Sequence, residues 1–377
     1  MSTVFLHIGL PKTGTTAIQN FLRTNDEALR RRGICFPDLG FSYPEIHSNR
    51  NAHFLVSSYD APSQMSHFTP GSDYTSGIEQ LARLSKTYDT ILLTDELIWR
   101  VCNQHADFWP TVKEDFSRHG MELKVIAYLR RQDEFVQSRY RQRMKAGETF
   151  SFYEFLDQLR SHNYPLDFYA AAQTISRAIG RENLILRIYE QKQYQGIQHT
   201  LISDFLDIFG LSISDDFIVE DKLFNHSLHG SYLEMRRLLN ALPGNVKGTP
   251  TLTQSIKEIQ EANPYTQKQE KQTLFLPGDQ HTFLEHFADS NAQLAREYFG
   301  RTDGSLFYTP LRELPYEKTS TEELLRDALL VYGRAFQTLD RQNKELKMRT
   351  EKLEKELKKS SLANCAKQTV KKLIGRK

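Results

Sequence analysis

The chain has 377 residues, of which 39% are hydrophobic and 11% aromatic, enough for one large packed domain or two smaller ones. Three scattered cysteines, Cys35, Cys102 and Cys365, exclude a disulfide framework or a cysteine metal site and fit a reducing compartment. The net charge of +2 hides an asymmetry: residues 341–377 carry 13 Lys and Arg against 4 Asp and Glu, whereas residues 1–340 carry 36 against 43.

The first element is an apolar strand over 3–8. It starts almost at the first residue, so the reading expects no secretory signal. No run of eighteen apolar residues offers a membrane span, and the expected setting is cytoplasmic. The strand runs into Gly9-Leu10-Pro11-Lys12-Thr13-Gly14-Thr15-Thr16 and then the helical pattern Ala17-Ile18-Gln19-Asn20-Phe21-Leu22. Such a strand–loop–helix join suits a phosphate, because backbone N–H groups at the helix start and threonine hydroxyls converge on an anion and the lysine adds charge. The spacing from Gly9 to Gly14 fits the opening of the nucleoside-triphosphatase loop G-x-x-x-x-G-K-[ST]. Thr15 stands where that loop needs its lysine, and Lys12 lies inside the loop instead.

A helix is expected over about 15–32. A second strand, 90–94, ends in Leu93-Thr94-Asp95-Glu96; between the two lies Asn51-Ala52-His53-Phe54. After a helix over 103–119, the strand 123–128 runs into Leu129-Arg130-Arg131-Gln132, and Ser138 lies on the following helix, 133–146. Helices over 151–160 and 166–179 precede a fourth strand, 183–188, which ends at Tyr189-Glu190. Strands alternating with helices imply an α/β fold with a parallel sheet covered by helices on both faces, whose active site lies at the carboxyl ends of the strands. A helical stretch is expected to begin at Tyr189-Glu190, with Leu201, Phe205, Leu206, Ile208 and Phe209 at core spacing, and to stop at Gly210; further helices are expected over 227–242 and over 281–300. A loop with a short helix, Thr253–Ala262, fills 243–280 and is the candidate acceptor-side lid.

From Leu325 the pattern changes to sevens. Leu325, Tyr332, Leu339, Leu346 and Leu353 recur, each followed four residues later by Leu329, Phe336, Asn343, Thr350 and Leu357. That is a coiled-coil repeat over 321–358, and an asparagine at an a position favours a defined, often two-stranded parallel, register. The alternative is a single helix folded back on the domain. The tail, 359–377, is basic and free of acids; it suits anionic lipid headgroups or a solvated end, and nucleic acid is not expected because aromatic residues are absent from it.

The run Pro11-Lys12-Thr13-Gly14-Thr15-Thr16 resembles the 5′-phosphosulfate loop of sulfotransferases that use 3′-phosphoadenosine 5′-phosphosulfate. In that family an arginine at a strand end and a serine eight residues later hold the 3′-phosphate of the donor. Arg130 and Ser138 have that spacing, although Arg131-Gln132 departs from the asparagine-proline that often follows. The resemblance covers roughly 1–310 and implies a P-loop-type fold, Tyr189 beside the adenine, and no metal. The segments Asn225-His226-Ser227 and Asn291–Phe299 also look familiar from bacterial sulfotransferase-like proteins, and no chemistry is assigned to them.

The implied reaction is in-line sulfuryl transfer to a hydroxyl or amine, with Lys12 stabilising the leaving group. The resemblance offers two positions for the base that takes the acceptor proton. Glu96 ends a central strand, where cytosolic relatives carry a histidine; His53 lies in a stretch where heparan-type relatives carry a glutamate. The sequence leaves both open, and reads His7 as a core histidine. A glycan or glycolipid acceptor, a homo-oligomer through the coiled coil and peripheral contact with the inner face of a membrane complete the expectation. The competing classes are a kinase using ATP and a non-catalytic coiled-coil assembly subunit.

Overall fold

A computed structural model describes residues 1–58, 68–219, 227–242, 250–263 and 272–374. Asn225, His226 and much of the expected 243–280 loop lie outside these residues, as do 375–377 of the basic tail. The chain divides into two compact units.

The first unit comprises 1–143, 150–227 and 272–316. Its centre is a five-stranded sheet of β1 (Ser2–His7), β2 (Ile34–Cys35), β3 (Thr90–Thr94), β4 (Met121–Leu129) and β5 (Leu184–Ile188). The order is β2-β3-β1-β4-β5 and every pairing is parallel. The register places Phe5 opposite Leu92 and Lys124, and His7 opposite Thr94 and Ile126. Four strands match the expected ones; β2 has only two residues, too short for an alternation to show.

The expected helix over 15–32 is two, α1 (Thr15–Thr24) and α2 (Asp26–Arg30), broken at Asn25, whose side chain donates 2.9 Å to the Phe21 carbonyl and thus competes with the helix backbone. Ile18, Phe21 and Leu22 of α1 and Ala28 and Leu29 of α2 pack on Leu92, Ile126 and Tyr128 of the sheet. Phe205 and Leu206 of α9 (Leu201–Asp207) complete that layer. Between β2 and β5 the chain also forms α3 (Ser72–Leu84), α4 (Ile98–Gln104), α5 (Phe108–Arg118), α6 (Gln132–Lys145), α7 (Phe152–Ser161) and α8 (Phe168–Ile179). Helix α5 packs on β4, and α8 on β4 and β5; neither contributes to the α1 cluster, so helices cover the sheet on both faces.

Tyr189 does not open a helix; a 3-10 turn, Gln191–Gln193, and a loop separate it from α9. The helix expected over 281–300 is likewise two, α12 (Asp279–Glu285) and α13 (Ala288–Phe299), once α10 (Gly230–Asn240) and α11 (Pro250–Ala262) are counted before them. Asn291 of α13 exchanges amide hydrogen bonds with buried Gln132 at 2.9 and 3.1 Å, which makes it a packing residue.

The second unit holds 144–149, 228–271 and 317–377. It is built from α10, α11 and one 54-residue helix, α14 (Thr321–Ile374), which packs against both. Asp327, Val331 and Ala335 form the packed face; Asp327 accepts from the Ser231 hydroxyl, and Arg334 pairs with Glu258 at 2.6 Å. The heptad residues lie elsewhere on the helix. From Leu325 to Leu357 the eight apolar members of the repeat are 42–73% exposed, so the heptad stripe is separate from the face that docks on α10 and α11. No helix of the described residues is long and apolar enough to cross a membrane.

Candidate functional site

Four strand ends carry the site, those of β1, β3, β4 and β5. From β1 the backbone turns through Gly9, Lys12 and Gly14, all left-handed, with φ of +73°, +69° and +76°. Glycine adopts that conformation without penalty, whereas for Lys12 it costs about 1–2 kcal/mol. At Gly9 a Cβ would lie 3.0 Å from Glu96 Cβ and 3.3 Å from Thr15 Cγ2. At Gly14 it would collide with the Leu201 side chain and sit 3.3 Å from the Tyr189 ring. The loop is therefore wedged between the ends of β3 and β5.

Within the loop, the Thr13 hydroxyl donates to the Leu10 carbonyl at 2.6 Å. Its proton is committed, and what Thr13 offers an anion is its backbone N–H. Pro11 is buried and has no N–H to give. Thr15 is buried and Thr16 exposed at the start of α1, where the first amides have no intrahelical acceptor.

Arg130, just past β4, completes the junction. Its Nη1 donates to the Lys12 carbonyl at 3.0 Å, its Nε pairs with Glu134 at 3.2 Å, and the guanidinium lies 5.5 Å from the Tyr189 ring centre. Tyr189 is placed by its N–H, which bonds the Leu129 carbonyl at 2.7 Å and extends the β4–β5 pairing by one residue. Arg131 points elsewhere, pairing with Asp133 at 2.7 Å and donating to the Thr309 carbonyl at 2.8 Å. Ser138 is half-buried on α6 beside Arg139, and it is not among the partners of Arg130. Burial pushes the Lys12 ammonium below its ordinary range, and Arg130 and Arg139 push it the same way against the opposing charge of Glu96. Burial likewise lowers Arg139. Cations gathered at half-buried positions make a site electrostatically ready for an anion.

The structure brings His53 and Glu96 into one cluster through two residues that sequence reasoning missed. Asp95, fully buried at the end of β3, accepts from His53 Nδ1 at 2.8 Å, from Arg50 at 2.6 and 3.2 Å, and from the Leu97 N–H at 2.7 Å. Burial would raise its carboxyl, but the His53 hydrogen bond and the Arg50 guanidinium outweigh it and hold it below the usual range. Glu96 lies 3.5 Å from Arg50 and accepts from Gln19 at 3.3 Å. Asn51 stitches the segment to β3, accepting from the Thr94 N–H at 2.9 Å and donating to the Leu92 carbonyl at 3.1 Å. Beside Arg50 and Asn51 opens a cavity of about 240 Å³ whose lining includes Asp38, Phe41, Tyr43 and His47.

His7 faces inward, between the Tyr128 and Phe205 rings, with Nδ1 3.1 Å from the Thr94 hydroxyl. Burial lowers it to about 4, so at neutral pH it is an uncharged core residue. No group of three or more His, Cys, Asp or Glu among the described residues could hold a metal ion.

No protein-family model matches the chain. An uncharacterized protein of Archaeoglobus fulgidus is 29% identical over 180 residues, which are 47% of this chain and 46% of that protein. The chain thus spans about half the length of the curated relative it matches. Among solved structures, a sulfotransferase from Alicyclobacillus acidocaldarius aligns with 78% of this chain and 95% of its own, at a TM-score of 0.40 and 15% identity.

Proposed function

We propose that the chain is a sulfotransferase that moves a sulfuryl group from 3′-phosphoadenosine 5′-phosphosulfate to a hydroxyl or amine. The observation that carries this reading is the junction of Lys12 and Arg130. Two motifs far apart in sequence, each resembling one of the family's phosphate sites, are tied by a 3.0 Å hydrogen bond at adjacent strand ends. A donor with a phosphate group at each end needs two anion sites in one cleft. The residues fit it: the loop amides and Lys12 for the 5′-phosphosulfate, Arg130 with Ser138 for the 3′-phosphate, and the Tyr189 ring for the base.

When bound, that donor supplies a sulfuryl group on a good leaving group. Lys12 is the residue to meet the negative charge that grows on the oxygen bridging to phosphorus. Its lowered proton affinity suits it to share a proton with that oxygen. Thr15 and Thr16 orient the group with their amides, and His53 or Glu96 takes the acceptor proton. The kinase reading is disfavoured by the absence of a lysine after Gly14.

For the acceptor we favour a glycan or glycolipid. The cavity beside Arg50 offers aromatic and polar side chains together, a mixture suited to a sugar ring with hydroxyls around it. We also assign the heptad stripe of α14 to pairing with a second copy of the chain, in the cytoplasm, with the basic end of the helix as a lipid contact. Calorimetric titration with adenosine 3′,5′-bisphosphate, beside ATP with magnesium, tests the donor class. Binding of the bisphosphate alone is expected, and binding of ATP with indifference to the 3′-phosphate overturns the reading.

A further inference from the structure

Two candidate bases, His53 and Glu96, are linked through Asp95 and Arg50, and their surroundings differ. Glu96 has its Oε2 engaged by Gln19 at 3.3 Å and lies 3.5 Å from Arg50. Its carboxylate is tied into a network of polar side chains. His53 has a different arrangement. Its Nδ1 is bound to Asp95 at 2.8 Å, while Nε2 takes no hydrogen bond from a described residue and is not one of the ring nitrogens sealed in the core.

The placement is rigid. His53 opens a 3-10 turn (His53–Leu55), and its backbone N–H bonds the Arg50 carbonyl at 3.1 Å. The neighbouring Ala52 N–H bonds the Thr94 carbonyl at 3.3 Å. The imidazole packs edge-on against Tyr43, with centroids 4.7 Å apart, and Tyr43 is itself fixed by a 2.9 Å hydrogen bond to Asp73. Asp95 has no freedom either. With Arg50, Leu97 N–H and His53 around it, both carboxylate oxygens are saturated in a site closed to water.

We propose that Asp95 is a positioning residue that holds His53 as the Nδ1–H tautomer, leaving the Nε2 lone pair as the base for the acceptor, with Arg50 keeping Asp95 ionised. A carboxylate that accepts from Nδ1–H fixes the ring orientation and the tautomer and stabilises the imidazolium that forms. In the step, the acceptor hydroxyl gives its proton to Nε2 as its oxygen forms the new S–O bond. The old S–O bond breaks toward the 5′-phosphate oxygen, which keeps the electron pair and faces Lys12. Glu96 then has a supporting part, balancing the charge of Arg50 and of Lys12. The inference rests on the sulfotransferase reading.

The experiment uses the full chain. Side-chain nitrogen-15 NMR on the wild type reads the His53 tautomer directly, with His53→Gln giving the assignment. Turnover is followed as release of adenosine 3′,5′-bisphosphate from the donor, with water and a panel of glycans as acceptors. The expected results are the Nδ1–H tautomer at neutral pH and a kcat loss of roughly 100- to 10,000-fold in both His53→Gln and Asp95→Asn. Donor KM should be unchanged in both. The double variant should be no slower than His53→Gln, because Asp95 acts only through His53. An Nε2–H tautomer, additive losses, or a larger loss in Glu96→Gln than in His53→Gln would each overturn the proposal. Removing Asp95 leaves Arg50 without its carboxylate and can prevent folding; the wild-type tautomer then decides. If the bisphosphate binds and turnover proceeds but these outcomes fail, only the assignment of the base falls. If the wild type does not bind the bisphosphate, the sulfotransferase reading falls and takes this proposal with it.

Discussion

The guanidinium of Arg130 reaches the backbone carbonyl of Lys12 at 3.0 Å, so the residue just past β4 clamps the loop that follows β1. One side chain thereby ties together the two proposed anion sites. The bond goes to the carbonyl of the residue that holds the left-handed turn, so the loop's strain and its clamp meet at Lys12.

Arg130→Ala should therefore weaken adenosine 3′,5′-bisphosphate by roughly 10- to 100-fold, the value of a charge-assisted contact. Adenosine 5′-monophosphate, which lacks the 3′-phosphate, should lose much less. Equal losses for both nucleotides, measured calorimetrically, would show that Arg130 acts only by holding the loop.

Lys12→Ala should lower the rate of transfer about 100- to 1000-fold, as expected for loss of one preorganised charge at a leaving group. Lys12→Gly is the useful companion, since glycine accepts φ of +69° without strain. It should be as inactive as the alanine variant but more resistant to denaturant; recovery of activity in the glycine variant would assign the lysine a backbone role alone.

Gly14→Ala puts a methyl group into the Leu201 side chain at a left-handed position. A destabilisation of about 1–3 kcal/mol is expected from strain and overpacking, with a loss of donor affinity because the loop amides shift. Urea melts read the first effect and titration the second. A neutral outcome would mean that α9 moves freely relative to the loop.

His7 sets a pH dependence of stability. Burial lowers its folded value to about 4 against an ordinary 6.5, so between those values the unfolded chain binds the extra proton. The contribution is complete above pH 6.5 and is lost as pH falls toward 4, by about 3 kcal/mol in all. Urea melts at pH 7 and pH 5 should show the wild type losing stability faster than His7→Asn. Parallel slopes in the two proteins would rule His7 out as the source.

For the long helix, Leu346→Glu with Leu353→Glu should reduce the particle to one copy by light scattering while leaving the packed face at Asp327, Val331 and Ala335 untouched. A mass unchanged from the wild type would exclude the heptad stripe as the pairing surface.

Much of the sheet was legible because β1, β3, β4 and β5 are apolar runs ending in chemically distinctive residues, and Lys12, Arg130 and Tyr189 do meet at those ends. The His53 cluster was legible only in part. Its organiser, Asp95, lies 42 residues from His53, and no local pattern announces that a carboxylate will be buried against a distant imidazole. Arg50 lies 45 residues from Asp95, and nothing beside it in the sequence points to that carboxylate. Helix ends failed where a single side chain decided them, as Asn25 does between α1 and α2. The α14 stripe was visible as a repeat of seven, but the sequence could not show that a second face, centred on Val331, would dock on α10 and α11.

Helix α14 is roughly 80 Å long at the usual rise per residue, and pairing along it would make every particle bivalent. A polymer with repeated acceptor groups would then be held by two copies of the same cleft. The second engagement is intramolecular, at an effective concentration set by the tether, so avidity rises by roughly 100- to 10,000-fold with no added contact. Weak recognition of a single sugar unit would suffice for such a particle, and a short oligosaccharide would be a far poorer substrate than the chain it was cut from.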